Sequence, residues 1–218
     1  MRSYIHFITA VCLVTLVAAV TSCSEDTSTV TNYDNWESRN TTYFSQKFRA
    51  AQDSIAAGKT NWKLLKSVYK AANSNAETDY VIARIIECSH DEDTPKTLAT
   101  DSVYMHYRGR LIPRDQYVRD TTTYEKDGLV FDTSYYGETL DLNNAIPSKL
   151  AVKDLVEGMQ TALENMHAGD RMEVIMPYNM GYGTSTSSNT SVPAYSTLRF
   201  DVKLVYIGHP GKIMPKVQ

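Results

Sequence analysis

The stretch LVEGMQTALENMHAGD (residues 155–170) decides the fold, because it places one amphipathic helix between two groups of strand-like segments. We predict a helix over residues 153–166, since its apolar side chains recur with a helical period, and we expect Gly169 to end it. The stripe that would face a core comprises Leu155, Val156, Met159, Ala162, Leu163 and Met166.

The segments on either side of this helix alternate as strands do. In LRFDVKL (residues 198–204) apolar side chains alternate with charged ones, and in VYMHY (residues 103–107) Val103, Met105 and Tyr107 share one face. Such alternation is typical of an antiparallel sheet with one wet face. One helix laid across one antiparallel sheet predicts an α+β architecture.

Residues 36–78 are predicted to form a small helical segment before this sheet, with Gly58 at the end of its first helix. The apolar stripe either packs on the following domain or pairs with a second copy as a homodimer; the sequence leaves both open, and we favour packing within the chain. The first helix carries Phe44, Phe48, Ala51 and Ile55 at helical spacing. The second, shorter helix would gather Trp62, Leu65, Val68 or Tyr69, and Ala72.

The first residues have the pattern of an export signal. Arg2 is followed by an apolar run over residues 7–20 and by small residues before Cys23, which predicts a signal peptide over residues 1–22. The run is shorter than the roughly 20 residues of a membrane-spanning helix. VTSC (residues 20–23) resembles a bacterial lipobox, which implies lipid on Cys23 and a place at the periplasmic or cell-surface side of a bacterial membrane. Residues 23–35 are predicted to be a flexible polar tether.

Composition argues against several kinds of site. The net charge is −3, and the composition does not suggest the concentrated basic face of a nucleic-acid binder, so nucleic-acid binding is not expected. Cys12 would leave with the signal and Cys23 would be acylated, so that Cys88 is predicted to be a single, partly buried bystander without a disulfide. HDED at residues 90–93 is interpreted as a solvated turn, and we predict neither a metal nor a cofactor.

Five segments share their order and spacing with a known family. They are HYRGRL (106–111), DGLVFDTSY (127–135), LVEGMQTALENMHAGD (155–170), MPYNMGYG (176–183) and VPAYSTLRFDVKLV (192–205). Together they resemble the FKBP family of peptidyl-prolyl cis-trans isomerases over about residues 79–208, which leaves residues 209–218 as a tail. The resemblance implies a curved antiparallel sheet wrapped around one short helix, an apolar pocket between them, and rotation of X-Pro bonds without a cofactor.

The resemblance also implies roles for individual residues. Tyr107 and Phe131 would line the pocket, while Asp132 would accept a hydrogen bond near the rotating carbonyl or steady a neighbouring tyrosine. The Val156 backbone N–H and the Tyr182 hydroxyl would each hold a substrate carbonyl. The apolar floor and walls would be Met159, Val192 and Phe200.

The chain departs from the family pattern at several places. Met159 stands where many members have tryptophan, the connection over residues 110–127 is longer than usual, and residues 184–191 make a polar wall loop. The sequence leaves three interpretations of this connection open: it reaches over the pocket, it binds a partner, or it is an inert surface loop. The predicted substrates are proline-containing polypeptides, during folding of exported proteins. The alternatives are a peptide-binding chaperone with little catalysis and an interaction lipoprotein that oligomerises through its helices.

Overall fold

The computed structural model of the chain describes residues 33–89, 94–113, 128–186 and 192–216. Five sequence predictions lie wholly or mostly outside these residues. They concern the signal peptide over 1–22, lipidation at Cys23 with most of the tether, the turn at 90–93, most of the 110–127 connection, and residues 187–191 of the wall loop.

The described residues form one antiparallel sheet of seven strands. Six of the strands follow the order β1-β2-β6-β7-β3-β4, and β5 also pairs with β3. The sheet is accompanied by a long and a short helix, so the predicted α+β architecture is confirmed. The strands are β1 Trp62–Lys66, β2 Tyr80–Glu87, β3 Ser102–Arg110, β4 Val130–Thr133, β5 Ser148–Ala151, β6 Arg171–Met176 and β7 Leu198–Gly208.

The pairing of β3 determines where a site can form. One edge of β3 is shared by two short strands, because Gly109 is in register with Asp132 of β4 and Met105 is in register with Ser148 of β5. The segment that joins β4 to β5 therefore leaves the sheet beside Tyr107, between the two pairings. The opposite edge of β3 pairs with β7 along its whole length, which fixes Gly109 against Phe200.

The short helix, α2 (Glu157–Leu163), packs against the inner face of the sheet. The predicted helix over residues 153–166 was too long at both ends. A single 3₁₀ turn, Val152–Asp154, precedes α2, and Leu155 and Val156 are extended. Gly169 has φ of +94° in the turn before β6 and does not end the helix, so that prediction was wrong.

The apolar faces of the strands meet α2 as alternation predicted. Along β7 the exposed fractions of Leu198, Phe200, Val202 and Leu204 are 0, 8, 0 and 0%. Along β3, Val103 and Met105 are buried, and Tyr107 packs against the same cluster while remaining partly exposed. Of the predicted apolar stripe, Met159, Ala162, Leu163 and Met166 are buried, whereas Leu155 and Val156 are half-buried.

The long helix, α1 (Trp36–Ala56), covers part of the outer face of the sheet. Phe44, Phe48 and Ala51 are buried against Ile82, which confirms the interpretation that the stripe packs within the chain. Ile55 is 41% exposed and lies outside that contact. A homodimer through the helices stays a prediction, and it would have to use the remaining surface of α1.

The predicted second helix was wrong, because residues 62–66 form β1 and pair with β2 from Trp62 opposite Arg84 to Lys66 opposite Tyr80. Both faces of β1 are covered. Leu64 packs toward α1 and Leu65 packs toward the main core. A strand with two covered faces loses the alternation of apolar and polar residues, and its apolar positions then match a helical spacing.

The start of α1 is fastened to the segment before β7. The Trp36 side chain is 6% exposed, and its indole Nε1–H donates to Ser196 Oγ at 2.9 Å. Replacing Ser196 with alanine should leave this buried donor without its acceptor and lower the free energy of unfolding by about 1–2 kcal/mol. Urea unfolding should show a lower midpoint with an unchanged slope. A midpoint equal to that of Thr41→Ala, an exposed position on α1, would contradict this docking.

Two further features concern membrane contact and thiol chemistry. Within residues 33–89, 94–113, 128–186 and 192–216, none of the helices has the length and apolarity needed to cross a bilayer. Cys88 is exposed, so the prediction of a partly buried thiol was wrong. The strand ends at Glu87, one residue before Cys88, and the side chain is therefore no longer held over the core.

Candidate active site

Three aromatic rings from three separate elements meet on the inner face of the sheet. The ring of Phe131 in β4 packs edge-on against Phe200 in β7 with centroids 5.5 Å apart, and against Tyr182 at 6.3 Å. Such edge-to-face pairs are favoured over flat sandwiches and orient each other. We call Tyr107, Phe131, Asp132, Tyr182 and Phe200 the aromatic site.

The rings of Phe131 and Phe200 can lie close to the backbone of β3 because residue 109 is a glycine and has no side chain. A Cβ at Gly109 would lie 2.6 Å from Phe131 Cζ and 2.7 Å from Phe200 Cε1. Gly109 is two residues beyond Tyr107 on the same strand, and so it lies on the same face. This glycine leaves room for both rings directly above β3.

A polar pair borders the rings. The Tyr107 hydroxyl donates to Asp132 Oδ2 at 3.1 Å, and the Ser148 side chain hydrogen-bonds the same phenol. The Tyr107 backbone N–H donates to Ser134 Oγ at 2.8 Å, which ties β3 to the segment after β4. Burial, the negative charge of Asp132 and the hydrogen bond to it raise the pKa of Tyr107 to about 12. The phenol therefore keeps its proton, and Asp132 is held as an acceptor facing an apolar surface.

The remaining predicted site residues belong to the same apolar cluster. Met159 is 3% exposed and Val192 is fully buried, while Val156 is half-buried at the N-cap of α2. Among the described residues no backbone acceptor takes the Val156 N–H. First-turn N–H groups of a helix have no partner within the helix, so this group is available to an external carbonyl.

The raised pKa of Tyr107 makes a prediction for stability in alkali. An unfolded tyrosine titrates near pH 10, so between about pH 10 and 12 the unfolded chain loses a proton that the folded chain retains. The stabilisation from this protonated phenol is complete below about pH 10 and is lost as the pH rises to 12. The free energy of unfolding should therefore fall less steeply over this range in Tyr107→Phe than in the wild type.

Denaturant unfolding at a series of alkaline pH values measures this slope. Asp132→Asn should flatten it as well, because it removes the charge that holds the proton on Tyr107. Equal slopes in the wild type and in Tyr107→Phe would show that the phenol is not held in this environment.

A family model described as FKBP-type peptidyl-prolyl cis-trans isomerase matches residues 94–205. This range is just over half of the chain and contains every residue of the aromatic site. The chain belongs to the FKBP family.

Relatives of known sequence agree with this assignment over part of their length. The macrophage infectivity potentiator of Trypanosoma cruzi is 32% identical over 112 residues, which are 51% of this chain and 46% of that protein. The FKBP-type 22 kDa peptidyl-prolyl cis-trans isomerase of Escherichia coli is 32% identical over 108 residues, which are 50% of this chain and 42% of that protein. The chain thus spans under half the length of these two relatives.

A solved structure supports the fold. The crystal structure of FkpA from Escherichia coli aligns with a TM-score of 0.52 and 18% identity, and the alignment covers 81% of this chain and 62% of that chain. At this identity the likeness concerns the fold alone, including the open antiparallel sheet and the short helix across it.

Within this FKBP-type domain, sequence reasoning missed three residues that shape the site. Gly109 stands inside the quoted segment HYRGRL, and its alternation with Tyr107 could have revealed it. Ser134 and Ser148 gave no signal, because their positions follow from how β4 and β5 share one edge of β3. Tyr135, which follows Ser134, does not join the site, because its ring lies under the Arg108 guanidinium at 4.3 Å, on the outer face.

Proposed function

We propose that the chain catalyses rotation of the peptide bond before proline in exported polypeptides. The observation that carries this proposal is the Tyr107–Asp132 pair beside the Phe131, Phe200 and Tyr182 rings, within the part of the chain that matches the family. No side chain need form a covalent bond with substrate. The reaction requires only that the bond be twisted.

The chemistry of the bond explains why this surface suits it. Resonance gives the amide a rotation barrier of about 18–20 kcal/mol, while the two X-Pro isomers differ by only about 0.5–1 kcal/mol. In the twisted bond conjugation is lost, so an apolar surface that excludes water disfavours the planar, more polar amide. Proline would rest against the aromatic rings, and groups such as the Tyr182 hydroxyl and the Val156 N–H would hold flanking carbonyls.

A protease-free X-Pro peptide assay tests the proposal, together with refolding of a protein whose slow phase is limited by proline isomerisation. The wild type should accelerate both at substoichiometric amounts. If the folded wild type accelerates neither, the chain is not an isomerase.

A second candidate is a peptide-binding chaperone with little catalysis. Leu142 and Ile146, in the segment between β4 and β5, are 58% and 67% exposed and offer apolar surface that an unfolded polypeptide could contact. Met159 at the floor favours the same alternative, because an unbranched thioether defines the shape of a pocket less firmly than an aromatic ring. Suppressed aggregation of an unfolded protein without faster isomerisation would select this function.

The proposed place of action is the exported side of a bacterial membrane, with lipid attached to Cys23. It is supported by the apolar run over residues 7–20, the small residues before Cys23 and the polar tether after it. Cys23→Ala should move the protein from the membrane fraction to the soluble fraction and abolish labelling by a radioactive fatty acid. Cys88→Ala, which removes an exposed cysteine, should leave both unchanged. Unaltered labelling in Cys23→Ala would contradict this anchor.

A further inference from the structure

A second concave surface lies on the outer face of the sheet, opposite the aromatic site. It is a cavity of about 370 Å³ between α1 and the segment that follows β4. Helix α1 contributes Tyr43 and Lys47, the edge of the sheet contributes Trp62, and the following segment contributes Tyr135. We call this space the outer cavity. Its volume is within the range of sites that hold small molecules or one or two peptide side chains.

Positive charge predominates in the outer cavity. Five cationic side chains and three carboxylates line it among the described residues. Two of the carboxylates are engaged: Glu173 forms an ion pair with Arg84 at 2.5 Å, and Asp201 accepts two hydrogen bonds from Arg171, which lies outside the cavity. Cationic side chains thus outnumber carboxylates by two among the described residues that line the cavity.

The arrangement of the arginines concentrates this charge. Arg110 of β3 and Arg199 of β7 are direct cross-strand partners, and both line the cavity. This register brings two guanidinium groups to the same part of the cavity wall. Their planar guanidinium groups match the two oxygens of a carboxylate.

Arg108 adds a third guanidinium that is fixed in place. It is 3% exposed, donates to the Glu138 carbonyl at 2.9 Å and stacks on the Tyr135 ring. Neutral carbonyls orient the group without cancelling its charge. Its Nε is buried and has no hydrogen-bond partner among the described residues. A buried charge of this kind is costly unless a counter-charge is near.

The side chains that line the outer cavity indicate which kind of anion fits it. Lys47 Nζ lies 5.3 Å from the centre of the Tyr43 ring, and Arg84 lies over Trp62 at 5.9 Å, so apolar surface alternates with charge. This surface suits the carbon skeleton of an organic acid. The acidic groups Glu138, Glu173 and Asp201 would repel a polyanionic backbone such as that of a nucleic acid.

We propose that the outer cavity binds a carboxylate, presented either by an acidic peptide segment or by a free dicarboxylic acid. Its charged side chains on β3 and β7 lie on the face opposite the aromatic site, although Phe200 of the aromatic site also borders the cavity. It also gives α1 a role beyond covering apolar surface, since Tyr43 and Lys47 form one wall.

The two tryptophans of the chain make a direct test possible. Trp62 lines the outer cavity, whereas the Trp36 indole is engaged with Ser196, so an ¹⁵N-labelled full chain should give two separable indole N–H signals. The probes are acetyl-Gly-Glu-Gly-Glu-Gly-amide, the same peptide with glutamine for glutamate, and glutarate. None contains proline. We expect saturable movement of the Trp62 signal with the glutamate peptide or glutarate, and an unmoved Trp36 signal.

The relative affinity of the peptide and glutarate identifies the source of the carboxylate. Lys47→Glu and Arg199→Gln should each weaken binding about tenfold or more, as expected for loss of a charge-assisted contact. Arg49→Glu, exposed two residues further along α1, is the matched control and should bind as the wild type does. Because Lys47 is also exposed, its variant should fold whatever happens to Arg199→Gln. Equal binding of the glutamine peptide, no movement of the Trp62 signal, or equal weakening in Arg49→Glu would each overturn the proposal.

Discussion

Replacing Phe131 with alanine should lower kcat/KM for an X-Pro peptide by about tenfold to a hundredfold while the protein stays folded. Phe131 makes the edge-on contacts that join Phe200 to Tyr182, and its loss opens the centre of the aromatic site. Fully burying a phenylalanine side chain is worth about 1.5–3 kcal/mol, and a difference of about 1.36 kcal/mol in the barrier corresponds to a factor of ten in rate. The structural cost should be smaller than for a core phenylalanine, because Phe131 is only half-buried.

Tyr206→Ala is the matched control for this variant. Tyr206 also belongs to an aromatic pair, with Tyr104 at 6.4 Å, and the pair lies outside the core cluster and away from the aromatic site. Its kcat/KM should stay within about twofold of the wild-type value once unfolding is corrected for. If Phe131→Ala keeps wild-type kcat/KM, or if Tyr206→Ala loses as much, catalysis does not take place at the aromatic site.

The parts of the fold that could be predicted are those with one covered face. In β7 and β3 one side of the strand faces the core and the other faces solvent or polar groups, so the burial of Leu198, Val202 and Val103 follows from alternation alone. The apolar stripe of α2 was predictable for the same reason. The bounds of α2 were not, because extended Leu155 and Val156 continue the apolar pattern without continuing the helix.

A strand that is covered on both faces could not be predicted from the alternation of apolar and polar residues. The strand β1 has Leu64 under α1 and Leu65 in the main core, and only the position of α1 explains why both are apolar. The outer cavity was equally unpredictable. Arg110 and Arg199 are 89 residues apart in sequence, and they become neighbours only through the register of β3 with β7. The sequence contains the charges, whereas the register places them together.

The aromatic site could be predicted only in part. Resemblance to the family pointed to Tyr107, Phe131 and Asp132 one residue at a time. The structure joins Tyr107 to Asp132 through a hydrogen bond and packs the Phe131 ring against Phe200 and Tyr182. The roles of these residues toward a substrate stay predictions. What the resemblance could not supply is the reason the rings fit together, which is the missing side chain at residue 109.

Replacing Gly109 with alanine should therefore impair both stability and activity, although the change adds a single methyl group. Its Cβ would lie 2.6 and 2.7 Å from the Phe131 and Phe200 rings, far inside normal contact, so one or both rings must move. Overpacking of this kind costs about 1–3 kcal/mol, and we expect the upper part of that range because two rings are affected. Displaced rings should lower kcat/KM by at least about tenfold, since misplacement by 1 Å can cost about a hundredfold.

Gly208→Ala provides a control with the same chemical change on the neighbouring strand. Its Cβ would meet Met214 Cγ at 2.6 Å, but that atom belongs to a flexible side chain beyond the end of β7, which can turn away. Its free energy of unfolding should fall by less than about 1 kcal/mol, with activity unchanged. Combining Gly109→Ala with Phe131→Ala should recover part of the lost stability without restoring activity, because the added methyl group then occupies the space of the missing ring. Strict additivity of the two stability losses would show that Gly109 acts elsewhere than beneath these rings.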